Sequence, residues 1–221
     1  MADDGATIID VGACSTRPGS EPATEEQETE RLRMAIKAVR QSVPDAIVSV
    51  DTFRASVARM AVEELGADIV NDVSEAADPE MLRTVARLRV PYVLTSIESE
   101  LEPMLIRWAS EIQQLRDYGH KDILIDPGFG FTTTREQDWQ LLTQLDRMTV
   151  LGLPIVAGLS RKRMIQEAIG SDAEGALAGT VAAETIALER GASVLRAHDV
   201  KAAADACKIY ERTRNLTARN V

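Results

Sequence analysis

Asp122-Ile-Leu-Ile-Asp126-Pro-Gly-Phe-Gly-Phe131 is the stretch that decides the fold. Its apolar run is too short for a helix and ends in a carboxylate, and Pro-Gly turns the backbone at once. The segment therefore reads as a short buried strand with Asp126 at its carboxyl end. That end is where parallel α/β proteins keep their chemistry. A carboxylate there can accept two parallel N–H bonds from a flat, amidine-like heterocycle, with Phe129 or Phe131 close enough for ring stacking. It can equally do no more than cap a turn, because Asp before Pro-Gly is ordinary turn chemistry.

The same grammar recurs along the chain. Gly5-Ala-Thr-Ile-Ile-Asp10, Gly66-Ala-Asp-Ile-Val-Asn-Asp72 and Gly191-Ala-Ser-Val-Leu-Arg-Ala-His-Asp199 each open with a Gly-Ala that can close a helix, run through β-branched residues and end polar. Residues 47–51, 92–96, 123–126 and 155–160 follow the same rule, which predicts seven strands. Between them lie helical stripes. Thr24-Glu-Glu-Gln27 reads as a capping box ahead of Leu32, Ile36 and Val39. Val57, Met60, Ala61 and Leu65 line a second helix, and Met81, Leu82 and Val85 a third. The longest is expected over 103–118, with Leu105, Trp108, Ile112 and Leu115 on one face. Trp139, Leu142 and Leu145 mark the next; two more start near Arg161 and Ala173, and the last covers 200–210. Strict strand–helix alternation predicts a parallel sheet. Seven such units predict a single domain over 1–221, a TIM (β/α)8 barrel short of one unit at its N-terminal side. Such a barrel would have two unpaired strand edges, so the expectation is marginal stability and little activity.

Composition narrows the ligand. The 25 Lys and Arg stand against 35 Asp and Glu, a net charge of -10, which disfavours nucleic acid and anionic membrane as partners. Any anion must be held by local cations. No run approaches the ~20 apolar residues of a membrane span, and the N-terminus lacks the basic start and apolar core of a secretory signal. Cys14 and Cys207 form no disulfide framework, so a cytoplasmic setting is expected. Two histidines and two distant cysteines are too few for a zinc cluster, and no Walker loop or Gly-x-Gly-x-x-Gly appears.

A barrel delivers every strand's carboxyl end to one rim, which turns Asp10, Asp51, Asn71, Asp126, Ser160, Arg196 and His198 into a site list. Asp51, Asn71 and Asp126 can satisfy the donors and acceptors of a polar heterocycle. Arg17, the run Arg161-Lys162-Arg163 and the pair Arg196 and His198 are left to hold an anion. Cys14 has no base beside it and reads as packing.

Ile-Ile-Asp-Val-Gly-Ala-Cys-Ser-Thr-Arg-Pro-Gly (8–19), Val-Ser-Val-Asp-Thr (48–52), Ala-Asp-Ile-Val-Asn-Asp-Val-Ser (67–74), Ile-Asp-Pro-Gly-Phe-Gly-Phe (125–131), Gly-Leu-Ser-Arg-Lys (158–162) and Arg-Ala-His-Asp-Val (196–200) together resemble the dihydropteroate synthase family, in order and over essentially the whole chain. The resemblance implies a magnesium-dependent, homodimeric transferase of folate synthesis that joins a dihydropterin pyrophosphate to p-aminobenzoate. Asp51, Asn71 and Asp126 would then hold the pterin, with Phe131 beside it and Lys162 over it. Arg17, Arg196 and His198 would hold the pyrophosphate, and Thr16 and Ser160 would border p-aminobenzoate. Lys162, Arg196 and His198 would be the catalytic set. No metal ligand is assigned, because the family's Asn that binds magnesium lies on a first strand that has no counterpart here. Other departures follow Tyr92-Val-Leu, where Thr95-Ser-Ile-Glu-Ser99 replaces Met-His-Met-x-Gly, and at Thr133 and Asp138, where Lys and Asn are usual. A pterin-dependent corrinoid methyltransferase and a non-catalytic pterin-binding homologue are the alternatives.

Overall fold

Each β-branched run is a strand and each apolar stripe a helix in the computed structural model, which describes residues 1–14 and 23–217. The order is β1 (Ile8–Gly12), α1 (Glu25–Ser42), β2 (Ile47–Asp51), α2 (Ala55–Glu63), β3 (Ile69–Asp72), α3 (Met81–Leu88), β4 (Tyr92–Thr95), α4 (Leu101–Asp117), β5 (Ile123–Asp126), α5 (Arg135–Thr143), α6 (Leu145–Met148), β6 (Ile155–Ala157), α7 (Arg163–Ile169), α8 (Leu177–Glu189), β7 (Ala192–Leu195) and α9 (Val200–Thr217). Among the described residues the seven strands form one curled, all-parallel sheet in chain order, with β1 and β7 at its edges. This is the expected TIM-barrel-like α/β architecture. The expected gap falls between β7 and β1.

Two apolar layers fix which way each strand faces. Ile69, Val93 and Val156, joined by Ile8, Leu124 and Val194, form a small cluster inside the curve. The larger core lies between sheet and helices and holds Tyr92, Leu94, Ile125, Trp108 and Met104, all fully buried. Because side chains alternate along a strand, the residues two beyond the inner cluster also face inward. Those are Asp10, Asn71, Thr95, Asp126 and Arg196.

Local chemistry sets the ends. The Thr24 hydroxyl accepts from the Gln27 amide at 3.3 Å while Gln27 Oε1 accepts from the Thr24 amide at 3.1 Å, the capping box read from sequence. Several elements begin or end otherwise than expected, α8 among them, which starts at Leu177. At 17 residues α4 starts two residues early and is one residue shorter than α1 and α9, and α9 continues to Thr217. β6 stops at Ala157 because residues 158–160 leave the ladder towards the rim, although the Arg196 amide still donates to the Ala157 carbonyl at 3.0 Å.

One buried acid has no such role. Glu184 on α8 is 1% exposed, and its Oε1 has no hydrogen-bond partner. Burial first, and the Asp199 charge second, push its carboxyl up to about 7. A carboxyl raised above its unfolded value binds a proton more readily in the folded state, so the stability it contributes is lost as pH rises from about 4 through about 7. Burial raises Asp51 and Glu111 to about 7 in the same way. Thermal unfolding should therefore show falling stability between pH 5 and pH 7 and a plateau above. Glu184→Gln should be near neutral at pH 5 and stabilising by about 1–3 kcal/mol at pH 8, flattening the slope.

Candidate active site

Asp126 performs both duties that its sequence allows. Its Oδ1 accepts from the Gly128 amide at 2.8 Å, which closes the Asp-Pro-Gly turn. Its Oδ2 faces the inside of the rim, fully buried and without a hydrogen bond. Arg196 Nη2 lies 3.2 Å from that oxygen as an ion pair, off the line a hydrogen bond needs. Gly128, at φ 72°, makes the turn possible: a Cβ there would stand 2.4 Å from the Ser96 carbonyl oxygen.

The acidic half of the rim is built by strand register. Gly12 and Asn71 flank Asp51 across the ladder, and Thr95 stands opposite Asp126. Asn71, 3% exposed, donates through Nδ2 to Asp10 Oδ2 at 3.1 Å and leaves its Oδ1 unpartnered. Burial, then the neighbouring Asp10 charge, push the Asp51 carboxyl up to about 7 against the pull of Arg196. Near neutral pH Asp51 is thus poised between donor and acceptor. Asp72, the next carboxylate, is not available: it accepts from the Ser74 amide and hydroxyl at 2.8 and 2.6 Å, from the Ala76 amide at 3.0 Å and from Tyr92 Oη at 2.8 Å.

The cationic half sits over an aromatic ring. Lys162 Nζ is 4.7 Å and Arg196 Cζ 5.8 Å from the centroid of Phe131. Burial first, and Arg196 second, hold the Lys162 ammonium below its usual value, with Asp126 and Asp138 pulling the other way. Burial also works against the Arg196 charge, and Asp126, Asp10 and Asp51 outweigh it. Arg196 can lie flat because residue 158 is glycine: a Cβ there would come 2.9 Å from Nη2 and 3.1 Å from Nε. The loop below is fixed by Asp138, which accepts from the Gly130 amide at 2.9 Å and the Thr133 hydroxyl at 2.6 Å. The two departures at 133 and 138 are therefore partners.

Several expectations change in detail. Phe129 is 1% exposed within the core, which leaves Phe131 as the ring at the site. The Arg-Lys-Arg run does not act as one anion site. Arg161 forms a two-pronged ion pair with Asp199 at 2.7 and 2.8 Å, Arg163 is exposed, and only Lys162 enters the rim. The buried Ser160 hydroxyl accepts from the His198 amide at 3.2 Å, which sets the His198 ring exposed at the mouth. Thr16 and Arg17 lie outside the described residues.

Sequence reading passed over a network behind the rim. Glu75, 1% exposed and left-handed at φ 56°, accepts from the Ser96 hydroxyl at 2.8 Å, and its other oxygen is 2.8 Å from Arg107 Nε. Arg107 also reaches Glu98 at 3.6 Å and Glu111 at 3.3 Å. Burial, then Glu75, push Glu111 up to about 7. The network reaches the site through the 96–99 segment: Thr132 Oγ1 donates to the Ile97 carbonyl at 2.6 Å and Gln137 Nε2 to Ser99 Oγ at 2.9 Å. A glutamate after Asp-Val-Ser and a serine after Thr95 were the available signals, yet only the fold brings them together.

Residues 1–198, which hold all of these rim groups, match the family model described as pterin binding enzyme. The dihydropteroate synthase of Synechocystis sp. is 38% identical over 228 residues, covering 96% of this chain and 78% of that protein. The solved structure of Xanthomonas albilineans dihydropteroate synthase with 4-aminobenzoic acid has a TM-score of 0.89 at 38% identity, covering 96% of this chain and 81% of that one. The same enzyme in complex with 7,8-dihydropteroate gives 0.85 at 36% identity, with the same coverage. The chain belongs to the dihydropteroate synthase family, the transferases of folate biosynthesis.

Glu75→Ala should strip Ser96 of its acceptor and Arg107 of a buried counter-charge, lowering stability by about 1–3 kcal/mol. Glu111 loses a like-charged neighbour at the same time, so its titration, followed by NMR, should move downward.

Proposed function

We propose that the rim is where a dihydropterin pyrophosphate and p-aminobenzoate are held and joined. The observation that carries this is the set of buried acceptors, Asn71 Oδ1 and Asp126 Oδ2, left open beside Asp51 and facing Lys162 and Arg196 across the Phe131 ring. A 7,8-dihydropterin presents an exocyclic amine and the N–H of its reduced ring along one edge, with an unprotonated ring nitrogen between them, and the two donors match the two open oxygens. Phe131 and the Lys162 stem cover one face of the ring.

The chemistry then needs charge stabilisation rather than a protein nucleophile. The p-aminobenzoate nitrogen attacks the pterin methylene, the C–O bond breaks, its electron pair leaves on pyrophosphate, and the new secondary amine releases a proton to solvent. Lys162, Arg196 and His198 offset the negative charge that develops on the leaving oxygen. Arg17 and Thr16 join this set through the family resemblance, as does Ser160 beside p-aminobenzoate. Magnesium enters through the resemblance as well. Among the described residues no three His, Cys, Asp or Glu side chains converge to hold a metal ion, and no step is assigned to one.

The homodimer rests on the same resemblance and is supported by Ile186, which stands 44% exposed on α8. The cytoplasmic setting rests on the two unpaired cysteines, and among the described residues no helix is long and apolar enough to cross a membrane.

Calorimetry with 6-hydroxymethyl-7,8-dihydropterin tests the pterin end. Asp126→Ala should abolish measurable binding with the fold retained, and Asp126→Asn should be nearly as damaging, because it can turn an N–H towards the ligand's own donor. Unchanged affinity in Asp126→Ala would overturn the reading. Arg196→Ala should weaken pyrophosphate more than pterin, whereas Lys162→Ala should lower turnover and pterin affinity together. Equal losses of pterin affinity with intact pyrophosphate binding would show that the rim is not divided into two ends.

A further inference from the structure

Among the described residues, Thr95 is an inward residue of the rim whose side chain makes no hydrogen bond and no ion pair. It is fully buried at the carboxyl end of β4, and its hydroxyl has no hydrogen-bond partner. Strand alternation from Val93 of the inner cluster turns it inward, and register sets it opposite Asp126. Its methyl group lies towards Gly128, where an added Cβ would be 3.3 Å away, so the hydroxyl occupies a different branch from the one that packs against the turn. An unpaired buried hydroxyl is unfavourable in a free protein, and native structures retain such groups chiefly where something else satisfies them.

Its neighbours share the condition. Asn71 Oδ1, Thr95 Oγ1 and Asp126 Oδ2 are three unpartnered buried atoms on three consecutive strands, all on inward-facing positions. The two outer atoms only accept: the Asn71 amide nitrogen is engaged by Asp10, and Asp126 Oδ2 faces Arg196. Of the three, only the hydroxyl has a proton to give. The edge of a 7,8-dihydropterin that runs from the exocyclic amine past an unprotonated ring nitrogen to the N–H of the reduced ring carries an acceptor between donors and fits this acceptor–donor–acceptor row. Neither concave patch elsewhere, around Asp146, Thr185 and Arg190 or around Arg83, Arg87 and Tyr118, contains a buried side-chain atom left open in this way.

We propose that the Thr95 hydroxyl is a specificity-determining contact of the pterin site, donating to a ring acceptor between the groups bound by Asn71 and Asp126. The inference rests on the pterin reading of the rim. It gives a positive role to the 95–99 departure, where the family pattern has a methionine with no proton to donate.

Thr95→Val keeps the side chain's shape and removes only the hydroxyl; Thr95→Ser keeps the hydroxyl. Binding of 6-hydroxymethyl-7,8-dihydropterin is measured by calorimetry for both variants and for the unsubstituted chain, together with thermal unfolding without ligand and the KM for p-aminobenzoate. Thr95→Val should weaken pterin about three- to tenfold, the worth of one hydrogen bond, with an unchanged KM for p-aminobenzoate and a melting temperature equal to or above that of the parent. Thr95→Ser should restore affinity to within about twofold. If Thr95→Val binds pterin as the parent does, or loses affinity only alongside a lowered melting temperature, the hydroxyl is structural and the inference falls while the pterin site stands. If the parent itself binds no pterin, both readings fall together.

Discussion

Asp126 and Arg196 hold one another at 3.2 Å across the mouth of the sheet, and the arrangement of the rim follows from that pair. A carboxylate buried to the last atom needs a counter-charge, and a guanidinium pressed among side chains needs an anion. Because the pair lacks hydrogen-bond alignment, Asp126 Oδ2 keeps its lone pairs for a ligand and Arg196 keeps N–H groups for an anion. A perfectly aligned pair would have satisfied both and left a plug in the barrel. The site is therefore an incompletely satisfied network, kept together by the sheet and by the turn at Gly128.

Around that pair the charges are graded. On the first two strands burial, and after it the neighbouring Asp10 charge, moves Asp51 towards neutrality, while burial, and after it Arg196, lowers Lys162 over Phe131. Two like-charged pairs face each other, each unfavourable alone and each relieved by the other half. A zwitterionic or dipolar guest with donors at one end and anionic oxygens at the other fits between them.

The elements that local chemistry dictates were legible in the sequence. The Thr24 box, the Asp126 turn and the alternation of β-branched runs with apolar stripes all stand where the residues put them, because each depends on neighbours within a few positions. What was not legible depends on residues far apart. Nothing local separates Phe129, which turns into the core, from Phe131, which supports two cations. Nor does the Arg-Lys-Arg run reveal that Arg161 is bound to Asp199, 38 residues on, while Lys162 alone reaches inward. Glu75 and Arg107 are ordinary charged residues until β3 and α4 bring them together, and Thr95 looks like an ordinary strand end until burial shows its hydroxyl to be unpaired.

Gly158 has a consequence beyond catalysis. Its missing side chain is the space in which the Arg196 guanidinium lies, since a Cβ would stand 2.9 Å from Nη2. The two positions are 38 residues apart in the chain and face each other across neighbouring strands. In descent they are therefore bound to each other. A lineage that acquires a side chain at 158 must move the guanidinium from where it lies, whereas one that has lost the arginine is free to fill the space. Glycine at the first position and arginine at the second should tend to be inherited together, and where they part the chain will have kept its barrel and lost the cation from that place at its mouth.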